Sequence, residues 1–242
     1  RSFSIYGGVG KQPQVKAYRS GAEIAVACPG RLLDLMNEKQ ISLRDIDILV
    51  LDEADQMFDM GFLPTIRRIV KETPKQRQTL LFSATMPKEI RSLANDFLTK
   101  PITIEIGHSK PADTVNHALY SLEQADKPQA LMKLLKTTDE GQVLIFTRTK
   151  HRASNLAKKL RKTGVKADAL QGNLSQKQRD RVMNNFRTGR IKYLVATDIA
   201  ARGIDVAAIS HIINYDMPGT TEAYTHRAGR TGRAGAGGIA IS

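Results

Sequence analysis

The sequence predicts an α/β chain of two domains, each built on a parallel sheet. Three observations lead there. Short β-branched apolar runs alternate with helical periodicities along the whole chain, the pattern of βαβ units. An apolar run at 48–51 feeds directly into Asp52-Glu53-Ala54-Asp55, as a buried parallel strand delivers acids to the C-terminal edge of a sheet. A polar stretch between Gly107 and Asn116, holding Pro111, interrupts the periodicity where the charge balance also changes.

Taken in order, the apolar runs place strands at 24–27, 48–51, 79–83 and 102–106 in the first half. In the second half they place strands at 118–122, 142–147, 166–170, 193–197, 211–215 and 238–241. Helical patterns fill the intervals at 30–37, 61–72, 87–98, 127–136, 150–162 and 175–187. Pro87 stands at the first helical position of its segment, where a missing N–H loses nothing. The division is therefore 1–107, a linker at 108–116, and 117–242. A long surface loop inside one domain is the other reading, and structureless loops of that length are uncommon in compact domains.

The composition is globular, with 41% hydrophobic and 25% charged residues. No run approaches the roughly 18 apolar residues of a membrane span, and the N-terminus Arg-Ser-Phe-Ser is not a secretory leader. A single cysteine, Cys28, excludes an internal disulfide and fits a reducing cytoplasm. The net charge of +13 is lopsided. Residues 1–107 hold 15 Lys+Arg against 13 Asp+Glu, and residues 108–242 hold 22 against 11. A polyanion, nucleic acid first, is the natural partner of the second half, and a solvated basic face is the bland alternative.

Asp52 and Glu53 after an apolar strand have the Walker B layout. One carboxylate holds Mg²⁺ through water, and its neighbour positions or deprotonates an attacking water. Acidic capping of the next helix by Asp52 or Asp55 is the alternative. Ser83-Ala84-Thr85 carries two hydroxyls at the next strand end, able to bond the Asp55 side chain or to cap the helix near Pro87. Cys28-Pro29-Gly30-Arg31 opens a helix after a strand, a place suited to phosphate or to a plain turn. Val195-Ala196-Thr197-Asp198 leads into Arg202-Gly203-Ile204-Asp205. Its hydroxyl, guanidinium and glycine could cradle backbone phosphate, and Asp205 a ribose hydroxyl; a capped turn is the alternative. His226 to Arg233 sets Arg227, Arg230 and Arg233 on one helical face. Gly229 and Gly232 among them would weaken a merely solvated helix by about 1 kcal/mol each, so a phosphate-facing arginine motif is favoured. Gly7-Gly8-Val9-Gly10-Lys11-Gln12 only mimics a phosphate loop. Ile5 and Gln12 occupy the positions that need Gly and Ser or Thr, and no apolar strand is expected before it.

In this order and spacing the segments resemble the DEAD-box RNA helicases over essentially all 242 residues. Gly7-Gly8 and Pro29-Gly30-Arg31 are similar to the family's RNA-side motifs of its first domain. Leu144-Ile145-Phe146-Thr147 and Gln176-Lys177-Gln178-Arg179 are similar to those of its second. The wording at 146–151 and 59–62 is similar to the bacterial RhlE-like branch. The resemblance implies two RecA-like domains flanking a cleft, with ATP and Mg²⁺ as cofactors and RNA of little sequence preference as partner. It implies Asp52 for Mg²⁺, Glu53 for the water, and Asp55, Gly203 and Asp205 around the nucleotide. Arg230 and Arg233 would be arginine fingers with His226 near the acids, and Ser83 and Thr85 would couple hydrolysis to unwinding. RNA contacts would come from Gly8, Pro29, Gly30, Arg31, Thr147, Arg148, Gln176, Arg179, Thr197 and Arg202. The sequence departs from the family in three ways. No Gln motif, phosphate loop or Pro-Thr-Arg-Glu-Leu-Ala segment precedes Gly7, Cys28 stands where Thr is usual, and Ser242 falls inside the last strands of the second domain. A fragment of a longer protein, unable to turn over ATP by itself, is the resulting expectation. An ATP-independent RNA-binding or annealing module and a related DNA helicase are the competing functions.

Overall fold

A computed structural model describes residues 1–105, 114–138, 141–201, 203–204, 206–232 and 237–242. The chain divides into two compact units, Arg1–Ser109 and Lys110–Ser242.

The first unit runs β1 (Ser2–Ile5), α1 (Lys11–Arg19), β2 (Ile24–Ala27), α2 (Pro29–Asn37), β3 (Ile48–Leu51), α3 (Ala54–Asp59), α4 (Leu63–Lys71), β4 (Gln78–Leu81) and α5 (Lys88–Phe97). Its strands form two separate parallel pairs, β1 with β2 and β3 with β4. Ile5, Val15, Leu32, Leu35, Ile41 and Ile69 make the core beneath the first pair. The expectation of a buried β3 fails by half. Ile48 is 56% and Val50 52% exposed, while Leu51 is buried. With β4 as its one hydrogen-bonded neighbour, β3 has apolar side chains of one pleat face uncovered among the described residues. The strand expected at 102–106 does not form over 102–105, where Ile102 and Ile104 stand exposed and unpaired, and residue 106 lies outside the described residues. Pro87 is the N-cap of α5 and not its first helical residue.

The second unit runs β5 (Val115–Ala118), α6 (Lys127–Thr137), β6 (Gln142–Phe146), α7 (Lys150–Lys162), β7 (Ala167–Leu170), α8 (Gln176–Arg187), β8 (Tyr193–Ala196), α9 (Asp198–Ala201), β9 (Ile209–Asn214), α10 (Thr221–Ala228) and β10 (Gly238–Ile241). All six strands are parallel, in the order β5-β10-β9-β6-β8-β7. Every residue of the central β6 is buried. One core packs α6 and α7 on the sheet through Leu131, Leu135, Leu156 and Leu160. A second packs α8, α9 and α10 through Val182, Phe186, Ala200, Ala201 and Ala228. Val115 and Asn116, assigned above to a linker, belong to β5, and the strand stops at Ala118 before Leu119 and Tyr120, which are exposed. Residues 108–113 of the expected linker lie outside the described residues.

Candidate functional site

In the first unit the acid motif follows β3 directly. Asp52 and Glu53 are exposed, and neither enters an ion pair among the described residues. Glu53 takes the left-handed conformation, φ 51°, and Asp52 Oδ1 accepts from the Glu53 N–H at 2.9 Å. Both carboxylates are thereby offered at the strand's C-terminal edge. Neither caps α3, whose N-cap Glu53 makes no side-chain hydrogen bond.

Asp55 behaves differently. It is 5% exposed. Its Oδ2 accepts from the Thr85 N–H and from Thr85 Oγ1, each at 2.9 Å. Ser83 Oγ accepts from the Asp55 N–H at 3.1 Å and donates to the Thr85 carbonyl at 2.7 Å. Ser83 thus reaches Asp55 through its backbone and not, as expected, through its carboxylate. The cluster joins the ends of β3 and β4, and Phe82 N–H adds a ladder bond to Leu51 O at 2.8 Å. Capping of α5 is excluded, because Pro87 holds that place. Asp52 is a hard oxygen donor of the kind Mg²⁺ takes. That ion keeps several waters and is bound by one or two carboxylates plus phosphates, so the absence of a metal-ready group of three or more donors among the described residues does not oppose it.

The ends of β1 and β2 carry the other first-unit candidates. Gly8 sits at φ 79°, a conformation glycine adopts without strain. Pro29 and Gly30 open α2, with Cys28 as N-cap and no side-chain capping bond. Arg31 turns inward, donating to the Val9 carbonyl at 2.9 Å and lying 3.7 Å from Asp34. It braces the glycine loop more than it faces solvent. Gln14, which no motif singled out, is buried and bonds Tyr6 N–H, Tyr6 O and Gly10 O, fixing the same loop from α1. A strand does precede Gly7, contrary to expectation, because β1 carries little apolar signal in sequence. Lys11 is still no phosphate-loop lysine. Its ammonium pairs with Asp34 and Glu38, which raise its pKa, and Gln12 follows it.

In the second unit the candidates gather at the C-terminal edge of the sheet. Thr147 is fully buried, its hydroxyl 3.4 Å from the Thr149 and Ala196 carbonyls. It stitches β6 to β8 and cannot touch RNA, which corrects its assignment. Arg148 next to it is exposed, with its N–H held by Asp216 Oδ2 at 2.9 Å. Thr197 is half-buried at the start of α9. Gln176 donates to Asp180 at 2.8 Å within α8, and Arg179 is half-buried beside it. Ser175 and Gln178 close a capping box at that helix start, a pattern legible in Ser-Gln-Lys-Gln. Gly203 sits at φ 70° in open space. Arg202, Asp205 and Arg233 lie outside the described residues.

The arginine motif is not one helical face. α10 ends at Ala228 with Gly229 as C-cap, so Arg230 stands in the turn beyond. Arg227 points inward and is buried. It donates to both Asp198 oxygens at 2.5 and 2.8 Å, to Asn214 Oδ1 at 2.9 Å and to the Asp216 carbonyl at 2.7 Å. Its guanidinium lies 4.8 Å from the Phe146 ring centroid. Asp216 also pairs with Arg152 at 2.7 Å. Arg230 is half-buried and donates to the Ile204 carbonyl at 3.4 Å, which ties it to Gly203. His226 is half-buried on α10. Gly232, at φ 66°, is needed for close approach, since a Cβ there would lie 2.7 Å from Val115 Cγ2.

Two family models match the chain: a DEAD/DEAH box helicase domain over residues 1–93 and a helicase conserved C-terminal domain over residues 126–235. The chain is 46% identical to the ATP-dependent RNA helicase DBP2 of Candida glabrata, covering all of this chain and 45% of that protein. It is 46% identical to the DEAD-box ATP-dependent RNA helicase 46 of Arabidopsis thaliana over 98% of this chain and 37% of that protein. The chain therefore spans less than half the length of these curated relatives. Among solved structures, S. cerevisiae Dbp5 bound to RNA and ADP BeF3 matches all of the chain at TM-score 0.89 and 36% identity, with 63% of that chain covered. A hypothetical ATP-dependent RNA helicase from Sulfolobus tokodaii is 38% identical at TM-score 0.52, with 99% of this chain and 70% of that one covered. The fungal and plant relatives give the bacterial RhlE-like branch no support.

Proposed function

The chain belongs to the DEAD/DEAH box helicase family, and on that premise we propose that it is the core part of an ATP-dependent RNA helicase that couples ATP hydrolysis to local unwinding of RNA. One observation carries this reading. Two exposed carboxylates, Asp52 and Glu53, stand directly in front of a bonded cluster in which buried Asp55 is held by half-buried Ser83 and Thr85. A pair kept for folding would be bonded, as Asp55 is. Mg²⁺-bound ATP supplies the phosphate bond to be cleaved. Asp52 would hold the ion through water, and Glu53 would orient and deprotonate the attacking water. Arg230, anchored at Ile204, would present a guanidinium to phosphate charge. The Asp55–Thr85 bonds give the acid loop a rigid link to the end of β4, through which nucleotide state can reach the rest of the unit. Gly8, Pro29, Gly30, Arg148, Arg179 and Thr197 would hold RNA by its backbone, which gives little sequence preference. The exposed thiol of Cys28 is compatible with the reducing cytoplasm where this reading places the protein.

The test is ATP hydrolysis by the full-length protein containing this chain, with RNA, with single-stranded DNA and with neither. RNA-stimulated turnover, lost in Glu53→Gln while nucleotide binding persists, is expected. Equal stimulation by DNA would move the reading to a DNA helicase. Unchanged turnover in Glu53→Gln would remove the acid pair from the chemistry.

A further inference from the structure

Part of the positive charge of the second unit lies away from the motifs. At the C-terminal edge of the sheet, carboxylates stand among the cations: Arg227 is bonded to Asp198, and Arg152 to Asp216. The opposite edge differs. Lys133 of α6, Lys158, Lys159 and Lys162 of α7, and Lys166 before β7 are exposed, as is Lys136 at the end of α6. None of these six ammonium groups enters a hydrogen bond or ion pair among the described residues. They share one face of the unit, because α6 and α7 pack side by side on the same core and Thr163 Oγ1 meets Met132 Sδ at 3.8 Å. Among the described residues the carboxylate at this edge is Asp168, and Arg161 already neutralises it at 3.0 Å.

The cluster opposes the stability of its own helix. α7 has 13 residues, Lys-His-Arg-Ala-Ser-Asn-Leu-Ala-Lys-Lys-Leu-Arg-Lys, and no acid. Lys158 and Lys162 are four apart, and Lys159 and Lys162 three apart, so like charges face each other and destabilise the helix by roughly 0.2–0.5 kcal/mol per pair. Helix-end cations gain something from the dipole, but a Glu/Lys surface would avoid the repulsion altogether. All six are lysines, compact hydrated point charges that can meet the phosphate oxygens of a backbone without fixing its register. At 1.5 Å per residue, Lys158 to Lys162 lie about 12–18 Å along α7 from its start at the motif edge. A strand bound at that edge could not also cover it.

We infer that the lysine face of α6 and α7 is a second nucleic-acid surface, which holds the phosphate backbone of duplex RNA flanking the strand bound at the motif edge. It rests on RNA being the partner proposed above. It adds a tether that keeps the protein on structured RNA while the motif edge engages and releases single strand.

Two RNAs test it: a short single strand, and the same strand extended by a duplex. Binding by the 242-residue chain would be measured over a range of salt concentrations. The wild-type chain is expected to bind the extended RNA more tightly. The triple variant Lys158→Gln, Lys159→Gln, Lys162→Gln should lose about five- to tenfold on the extended RNA. Its log–log salt slope should fall by two to three, at roughly 0.9 per phosphate contact. Affinity for the short strand should not change, and the corresponding triple arginine variant should retain duplex binding. Circular dichroism would verify that α7 remains folded. Equal affinity and slope for wild type and the glutamine variant on the extended RNA would overturn the inference, as would a wild-type chain that gains nothing from the duplex. Binding of neither RNA would instead overturn the proposed function, and this inference with it. Loss of binding to an acidic peptide, with RNA binding unaltered, would reassign the face to a protein partner and also overturn it.

Discussion

Replacing Arg227 with Met removes a guanidinium from a side chain that is 3% exposed and leaves an apolar stem of similar reach. Four interactions go with it. The paired bonds to Asp198 are charge-assisted, but Asp198 is 45% exposed and water can take over much of its solvation. Asn214 Oδ1 and the Asp216 carbonyl fare worse, since both residues are buried and each lost bond leaves an unsatisfied acceptor worth about 1–3 kcal/mol. The guanidinium over Phe146 adds about 1 kcal/mol. Release of a buried cation offsets part of this. The net destabilisation is about 3–5 kcal/mol, the range seen when one partner of a buried pair is removed. At roughly 3 °C per kcal/mol for a domain of this size, the second unit should melt about 10–15 °C lower. Asp198→Asn, acting at the exposed end, should cost only about 1 kcal/mol. Thermal unfolding of wild type, both single variants and the double variant closes the cycle, with a coupling of about 1–2 kcal/mol expected. An Arg227→Met variant that melts within about 2 °C of wild type would refute the reasoning. It would mean that the guanidinium is held by geometry and contributes little energy.

Thr147→Val should leave RNA affinity within about twofold of wild type and stability within about 1 kcal/mol, because the hydroxyl is buried and its contacts are long. Arg148→Ala should weaken RNA binding, and filter binding compares the two. Gly141 sits at φ 80°, and a Cβ added there would collide with Ser210 Oγ, so Gly141→Ala should destabilise by about 2 kcal/mol or more in urea titration. Pairing it with Ser210→Gly should recover the steric part and not the backbone part. Burial, and then Lys192, hold the His211 pKa below its ordinary value. The unfolded chain therefore binds the extra proton more readily, and stability should fall as pH drops below about 6.5. The urea midpoint should decline between about pH 7.5 and 5.5, and His211→Gln should decline less.

Periodicity made most elements legible. The runs at 24–27, 48–51 and 238–241 are strands as expected, and α7 spans the residues predicted for it. The misses have local causes. β1 is a Ser-Phe-Ser-Ile run with little apolar signal, and α1 carries Pro13 in its first turn, so both hid behind a glycine loop. With β1 hidden, Gly7 had no strand before it. The stretch at 102–105 has strand chemistry, alternating Ile102 and Ile104, yet pairs with nothing among the described residues. Propensity reports what a segment can do, while pairing depends on a neighbouring edge.

The site was legible by motif and misread by role wherever identical residue types meet different long-range partners. Spacing treats Arg227, Arg230 and Arg233 as equivalent. Asp198, Asn214 and Asp216, at 29, 13 and 11 residues' remove, take Arg227 into the core and leave Arg230 at a turn. Asp52 and Asp55, one helical turn apart in sequence, separate in the same way. Thr85, 30 residues on, binds one and leaves the other exposed. The charge count has the same blindness. It located the excess in the second half of the chain and assigned it to no particular surface. The fold divides those cations between two edges of one sheet, and carboxylates answer them mainly at the motif edge. Net charge thus points to a polyanion without choosing a surface, while the pairing of each cation says which surface is left to meet one.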